Sequence, residues 1–172
     1  MSQLDQIQIT FVALEDRLLL RITTQTAQEF RFALTRRFVK GLLPLLQQGL
    51  SAQPRIQTQP DPVAKQELLR FEHEQAVQST DFKTPFKGTE RALPLGEQPV
   101  LLSRCQVRPR SDGGVDLMIG PEQGNGIDLA LNPPLLHSIV ALFETALQNA
   151  DWGLASATPA VPARTGNPAS IN

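Results

Sequence analysis

The fold is decided by residues 18–50, LLLRITTQTAQEFRFALTRRFVKGLLPLLQQGL, and by their counterpart at residues 115–147, VDLMIGPEQGNGIDLALNPPLLHSIVALFETAL. The two segments align without a gap when 97 is added to the residue numbers of the first. Only six of the 33 aligned positions are identical. Fourteen positions are apolar in both segments, whereas an apolar content of 41 % gives about five or six by chance. The shared apolar pattern predicts that the chain contains one structural unit twice.

Each copy of the unit combines a strand pattern with a helix pattern. Three stretches of the first copy alternate apolar and polar residues, which is typical of strands with one buried face; their apolar residues are Ile7, Ile9 and Phe11, then Leu18, Leu20 and Ile22, then Phe30, Phe32 and Leu34. Thr35 can cap the helix that follows, because its hydroxyl can accept a hydrogen bond from a first-turn N–H group. The second copy repeats this plan, with a first strand over residues 101–108, a turn at Asp112-Gly113-Gly114, and Asn132 in the capping position.

These patterns predict an α+β protein in which duplicated βββα units form one pseudo-two-fold domain. The domain would contain about six antiparallel strands and two equivalent helices, with a further helix inserted between the copies. We expect a single domain over residues 1–155, divided into copy one (4–50), a helical and loop insertion (51–98) and copy two (99–155). Residues 156–172 are predicted to be a disordered tail, because their composition of Ala, Pro, Thr, Asn and Gly cannot bury a core.

Composition and charge argue against several classes of protein. The chain has 172 residues, about the length of one domain. Its 16 Lys and Arg against 17 Asp and Glu give a net charge of −1, whereas nucleic-acid binders usually carry a basic excess. The best apolar run, residues 42–46, is interrupted by Pro44 and is far shorter than the roughly 20 residues of a membrane span. With no secretory signal and a single cysteine, the sequence predicts a cytoplasmic protein that has no disulfide and no contact with a membrane.

The chemistry-bearing residues do not form a catalytic or metal-binding pattern. His73 is expected on a solvated helix face, and His137 is expected to be exposed or half-buried in the first turn of the last helix. Cys105 alternates with Val107 on the inner side of a strand, where a thiol behaves as a small apolar group. The glycines at 120, 124 and 126 lie between two strands, so they predict a turn and not a phosphate-binding loop. We therefore expect a protein that is not an enzyme and that uses no cofactor or metal.

Aromatic and basic residues alternate in the irregular part of the insertion, at Phe82-Lys83-Thr84-Pro85-Phe86-Lys87. Such interleaving occurs in surfaces that bind single-stranded nucleic acid. The favoured interpretation is that both rings pack on the core and pin a long loop. A second basic group opens the first predicted helix. Together, the candidate partner-binding residues are Arg36, Arg37, Lys40, Phe82, Lys83, Phe86 and Lys87.

The sequence therefore predicts a small, soluble, non-catalytic protein-interaction or adaptor module of bacterial origin. Its partner would be an unidentified protein or a second copy of the chain in a homodimer. Nucleic-acid binding through the start of the first helix and the 82–87 loop is the less favoured alternative, because the predicted outer sheet faces carry mixed charges and no aromatic ring. Those faces comprise Gln6, Gln8, Thr10, Arg21 and Arg31 in copy one, and Arg104, Gln106, Arg108, Asp116, Met118 and Asp128 in copy two.

Overall fold

A computed structural model describes residues 4–82, 84–87, 90–154 and 170–171 and has an α+β fold, which confirms the predicted class. Its strands are β1 (Leu4–Val12), β2 (Arg17–Thr24), β3 (Glu29–Thr35), β4 (Val100–Leu101), β5 (Arg104–Pro109), β6 (Val115–Gly120), β7 (Ile127–Leu131) and β8 (Ser170–Ile171). Its helices are α1 (Arg36–Ser51), α2 (Pro54–Gln57), α3 (Pro62–Ser79) and α4 (Pro133–Ala150). A short 3-10 turn, Ala13–Glu15, joins β1 to β2.

The long helices begin where the sequence supplies a capping side chain. The Thr35 hydroxyl accepts a hydrogen bond from the Phe38 N–H, and the Asn132 side chain accepts one from the Leu135 N–H. The Asp61 carboxylate accepts two first-turn N–H groups of α3. Each cap satisfies donors that have no partner within the helix. The starts predicted for α1 and α4 are confirmed.

The strands form two sheets that do not pair with each other. Sheet one has the order β4-β3-β2-β1-β8, and sheet two has the order β5-β6-β7. All neighbours are antiparallel except β3 and β4, which are parallel. The predicted plan of about six antiparallel strands therefore needs correction, because β4 and β8 add short strands to both edges of sheet one. The pseudo-two-fold arrangement is not confirmed, since the described part of sheet two lacks counterparts of these strands.

The segment predicted as one strand over residues 101–108 is divided between the two sheets. The Leu102 N–H donates to the Ala33 carbonyl in sheet one, and the Ser103 N–H donates to the Gly120 carbonyl in sheet two. Leu102 is buried at this crossing. An alternating pattern could not reveal the division, because both pieces have extended backbone and differ only in the strand that they pair with.

The core lies between the two sheets and the helices α1 and α4. Helix α1 contacts β3 of sheet one and β5 of sheet two, and α4 contacts β7 of sheet two and β1 of sheet one. Each of these helices therefore buries its apolar residues against both sheets. The largest fully buried side chains are Phe32, Phe143, Leu18, Ile22, Leu34, Leu42, Leu46, Leu50, Ile119, Leu131, Leu136 and Leu142.

The predicted disordered tail falls largely on residues that lie outside the described part of the chain. Within that tail, Ser170–Ile171 form β8, which pairs with β1 opposite Ile7 and Gln8. As for membranes, none of the helices found in the described ranges combines the length and the apolar character that a membrane crossing requires.

Candidate functional site

The outer face of sheet one is covered by the second half of the insertion. We call residues 81–82, 84–87 and 90–98 the covering segment. The Gln6 side chain donates to the Pro85 carbonyl at 3.4 Å and accepts from the Lys87 N–H at 3.0 Å. Gln6 is buried as a result. The prediction of a solvated Gln6 is therefore wrong, because the covering segment supplies backbone partners for its amide.

Arg21, in the middle of β2, connects the covering segment to a buried carboxylate. Its guanidinium lies 4.0 Å from the centre of the Phe86 ring, in a cation–π contact. Its Nε donates to Glu29 Oε1 at 2.9 Å, and Arg31 Nε donates to the same oxygen at 2.7 Å. Burial raises the pKa of the Glu29 carboxyl, but the hydrogen bonds from Arg31 and Arg21 outweigh burial and hold the pKa below its ordinary value.

Arg91→Ala is expected to lower the free energy of unfolding by about 2 kcal/mol, because hydrogen bonds to charged groups contribute roughly that much. The Arg91 side chain is only 7 % exposed and donates to Asp5 Oδ2 at 3.0 Å and to the Thr24 carbonyl at 3.2 Å. Urea denaturation followed by circular dichroism measures the loss. The control is Arg108→Ala, whose exposed guanidinium binds the nearby Gln106 and which should change stability by less than about 0.5 kcal/mol. Equal losses in both variants would show that Arg91 does not anchor the covering segment.

The basic and aromatic groups predicted to bind a partner do not form one surface. Arg36, Arg37 and Lys40 are exposed in the first turns of α1, which begins where β3 ends beside the start of β2. About 13 Å of strand separates that end from Arg21, whose guanidinium stacks on the Phe86 ring. In addition, α1 packs on the inner face of sheet one and the covering segment lies on its outer face. A single ligand would have to reach around the sheet to touch both groups.

The two predicted aromatic residues serve to hold the covering segment in place. Phe82 is partly buried and packs against the core, and Phe86 is partly buried beneath Arg21. The Lys87 residue is exposed, and Lys83 lies outside the described residues. This placement agrees with the interpretation that both rings pin a long loop.

Sheet two has edges of a different kind from those of sheet one. In sheet one, β4 lies beside β3 and β8 lies beside β1, so both edges carry a further strand. In sheet two, no further strand within the described ranges pairs with β5 or with β7. The outward N–H and C=O groups of these two strands are therefore the ones available to a strand from another chain.

The outer face of sheet two is mixed in character. Met118 is a large apolar side chain that is exposed at its centre. Asp116 pairs with Arg110 at 3.0 Å. Arg108 instead binds Gln106, so the charges on this face are partly paired with one another.

A buried pair of histidines joins α3 to α4. Nδ1 of His73 and Nδ1 of His137 are 3.2 Å apart, and the two residues are 1 % and 2 % exposed. Nε2 of His137 lies 3.3 Å from Nε2 of Gln53, and Nε2 of His73 lies 3.7 Å from Oε2 of Glu144. The predictions of a solvated His73 and an exposed or half-buried His137 are therefore wrong, because α3 packs on α4 and brings the two rings together.

The neighbours of the two rings determine which nitrogens carry protons. The Gln53 amide nitrogen donates, so Nε2 of His137 is an acceptor and the proton of this ring is on Nδ1. That N–H donates to Nδ1 of His73, which leaves the His73 proton on Nε2, facing the Glu144 carboxylate. If the His73 proton were on Nδ1 instead, the lone pair of Nε2 would point at the Glu144 carboxylate. Gln53, His137 and His73 thus form a directional hydrogen-bonded chain, and Glu144 lies near its end, beyond hydrogen-bond distance of His73.

The pair acts as a structural contact at neutral pH. Burial, and secondarily the neighbouring His73, lower the pKa of His137 from its ordinary 6.5 to about 4. The nitrogen spacing is close to the roughly 3.4 Å between two ligands of a tetrahedral zinc ion. Such a centre needs further ligands, and the described residues contain no group of three or more His, Cys, Asp or Glu that could hold a metal. We therefore interpret the contact as a hydrogen bond between two helices.

The sequence carries only a weak signal for this pair. The histidines are 64 residues apart and lie in different elements, one of them in a helix with a largely polar sequence. The available clue was that His137 stands within a run of apolar residues in α4, since Leu136 and Ile139 are both buried beside it. A histidine in such a run is more readily buried as a neutral ring than exposed.

Cys105 does not have the environment of a nucleophile. It is partly buried in β5, and burial raises the pKa of its thiol. Reactive cysteines instead have a lowered pKa next to cationic groups or a helix N-terminus. This placement agrees with the expected packing role.

Comparisons with other proteins give no family for this chain. It matches no protein-family model, and no similar chain is found among curated proteins or solved structures. The functional interpretation therefore depends on the geometry described above.

Proposed function

We propose that this protein is a non-catalytic interaction module that binds a second copy of itself through the free edge of β7. The contrast between the two sheets supports this proposal. Sheet one carries a strand at each edge and the covering segment on its outer face, whereas sheet two is open at both edges within the described residues. Pairing of exposed strand edges is a common way for two chains to associate.

Of the two open strands, β7 is the better suited to pairing. β5 carries exposed arginines at Arg104 and Arg108 and ends at Pro109, which has no N–H group to donate. Charged side chains and proline are devices that protect an edge strand from association. β7 has the sequence IDLAL, in which Asp128 is the one charged residue.

An antiparallel pairing of two β7 strands is self-complementary when the two-fold axis passes through Leu129. Ile127 then faces Leu131 of the partner subunit, which extends the apolar inner face across the interface. Asp128 faces Ala130 of the partner subunit, so that no like charges meet directly across the strands. A two-fold axis at Asp128 would place two carboxylates opposite each other, which is destabilising.

We also propose that the two sheets originate from duplication of one βββα unit. The capping residues Thr35 and Asn132 are related by the same shift of 97 as the apolar pattern, and both accept an N–H three residues later. The helices also pack reciprocally, with α1 on β5 and α4 on β1. In this relation β7 corresponds to β3, whose outer edge is closed by β4. The β7 edge proposed for the dimer therefore corresponds to the β3 edge, which already pairs with β4 within the chain.

Substitutions at Ala130 test the interface without disturbing the core. Ala130 is half-buried and alternates with the buried Leu129, so its side chain is on the outer face. Ala130→Asp would set a like charge against Asp128 twice per dimer, and Ala130→Lys would set an opposite charge there. With each cross-strand pair contributing up to about 1 kcal/mol, we expect the aspartate variant to raise the dimer dissociation constant about tenfold and the lysine variant to lower it. Sedimentation equilibrium measures both constants.

The control for this experiment is a charge exchange. The double variant Ala130→Asp with Asp128→Lys restores opposite charges across the proposed two-fold axis, so its dissociation constant should return towards that of the native chain. Since Ala130 also lies opposite Asp116 within one chain, the stability of each variant is measured separately. A dimer insensitive to all three variants would place the interface elsewhere. A strict monomer at millimolar concentration would overturn the proposed self-association.

A further inference from the structure

Helix α3 is held to the rest of the protein by very few buried side chains. Only His73 and Ala76 of its described residues are buried. On its outer side, Val63 is 66 % exposed and Phe71 is 60 % exposed. Leu69 is partly buried and packs against the core, so the fully buried contacts of α3 are confined to His73 and Ala76.

The histidine contact accommodates one hydrogen atom between the two rings. With Nδ1 of His73 only 3.2 Å from Nδ1 of His137, one nitrogen donates and the other accepts. If both rings were protonated, two N–H groups would point at each other and two positive charges would meet in a site shielded from water. Such an arrangement has no hydrogen bond and a large desolvation cost.

The charged groups around the pair cannot compensate for a second positive charge. From α4, Glu144 faces His73 at 3.7 Å and offers one carboxylate. From α3, Glu72 is engaged by Arg55 of α2 at 3.3 Å. From the connection before α2, His137 meets Gln53, whose amide is neutral. The His137 ring thus has no anionic neighbour among these contacts.

We propose that the buried histidine pair is an acid-sensitive latch that holds α2 and α3 against α4 at neutral pH and releases them when both rings are protonated. The released part is the helical half of the insertion, residues 52–80. The sheets and helices α1 and α4 keep the main core, because its buried cluster contains no residue of 52–80 and Leu69 of α3 packs only at its margin. This proposal rests on the contacts of α3 and does not depend on the proposed dimer.

The direction of the pH dependence follows from the lowered pKa of His137. In the released state its ring is in water and takes up a proton near the ordinary 6.5, whereas in the latched state it remains neutral down to about 4. Acid therefore favours the released state as the pH falls from about 6.5 to about 4. From these two values, the equilibrium constant for docking of α3 falls about 20-fold between pH 7 and pH 5.

Hydrogen exchange with mass spectrometry measures this release in the full chain. After correction for the intrinsic pH dependence of exchange, the protection of amides in α3 should fall about 20-fold between pH 7 and pH 5, while that of α1 and β2 stays within a few-fold. In His137→Gln, which cannot take up the proton, the fall should disappear. Unchanged protection of α3, or an equal loss throughout the protein, would overturn the latch.

Nitrogen NMR of the native chain provides a second test, which does not require the variant to fold. The sequence has two histidines, so the imidazole spectrum contains two rings. At pH 7 we expect His137 to carry its proton on Nδ1 and His73 on Nε2. The His137 ring should take up its second proton together with the loss of α3 protection. Two rings that both titrate in the ordinary histidine range while α3 stays protected would rule the proposal out.

Discussion

Leu34→Asp and Leu131→Asp are each expected to lower the free energy of unfolding by more than about 4 kcal/mol, a large share of the roughly 5–15 kcal/mol that stabilises an ordinary protein. Both leucines are fully buried, at the ends of β3 and β7 respectively. Each substitution removes the apolar contacts of a leucine and buries a carboxylate that has no partner. Because the proposed duplication makes these two positions equivalent under the shift of 97, we expect the two losses to be similar.

Urea denaturation measures these losses, and the leucine-to-alanine variants at the same positions give values in the measurable range of about 2–5 kcal/mol. The control is Leu14→Asp, since Leu14 is completely exposed in the turn between β1 and β2 and its replacement should leave stability nearly unchanged. Each variant should unfold in a single transition, because α1 and α4 each pack on strands of both sheets. A substitution that leaves stability unchanged at one of the two buried positions would contradict the proposed equivalence of the two units.

Gly114→Ala is expected to destabilise the protein by about 3 kcal/mol through overpacking of the backbone. A Cβ atom at this position would lie 2.2 Å from the carbonyl oxygen of Leu131, and that oxygen belongs to the backbone at the end of β7. The Leu131 carbonyl cannot move aside without displacing the start of α4, where Asn132 caps the helix. The substitution therefore forces apart β7 and the turn that leads into β6.

Gly41→Ala is the matched control for this experiment. Gly41 lies on the exposed side of α1, and a Cβ atom there meets nothing within 4 Å. Alanine is the better helix former, so this variant should be more stable by up to about 1 kcal/mol. Thermal or urea denaturation measures the stability of the two variants. A loss of stability in both variants, or in neither, would contradict the close approach of Gly114 to the Leu131 carbonyl.

The predictions that the structure confirms depend on interactions between residues close in sequence. Strands β1, β2 and β3 follow from alternation, and α1 and α4 begin after Thr35 and Asn132 because these side chains bind first-turn N–H groups. Such signals are complete within a few residues. The α+β class could be predicted from them, whereas the number of sheets could not.

The predictions that needed correction concern residues whose surroundings come from distant segments. Gln6 has the polar character of a solvated strand position, yet it binds backbone groups of Pro85 and Lys87, which are 79 and 81 residues away in the sequence. His73 lies in a polar helix and is buried only because α3 packs on α4. A polar side chain can be buried wherever a partner satisfies its hydrogen bonds, and sequence periodicity does not show that partner.

By itself, the sequence determined the local elements of this protein and the repetition of their order, because apolar spacing and capping groups act over short distances along the chain. The tertiary structure alone decided which surfaces are closed and which are open. It placed the covering segment on sheet one, left β5 and β7 of the described sheet two without neighbouring strands, and joined His73 to His137. These features depend on contacts between segments that are far apart in the sequence, and the spacing of residues within one segment does not specify such contacts.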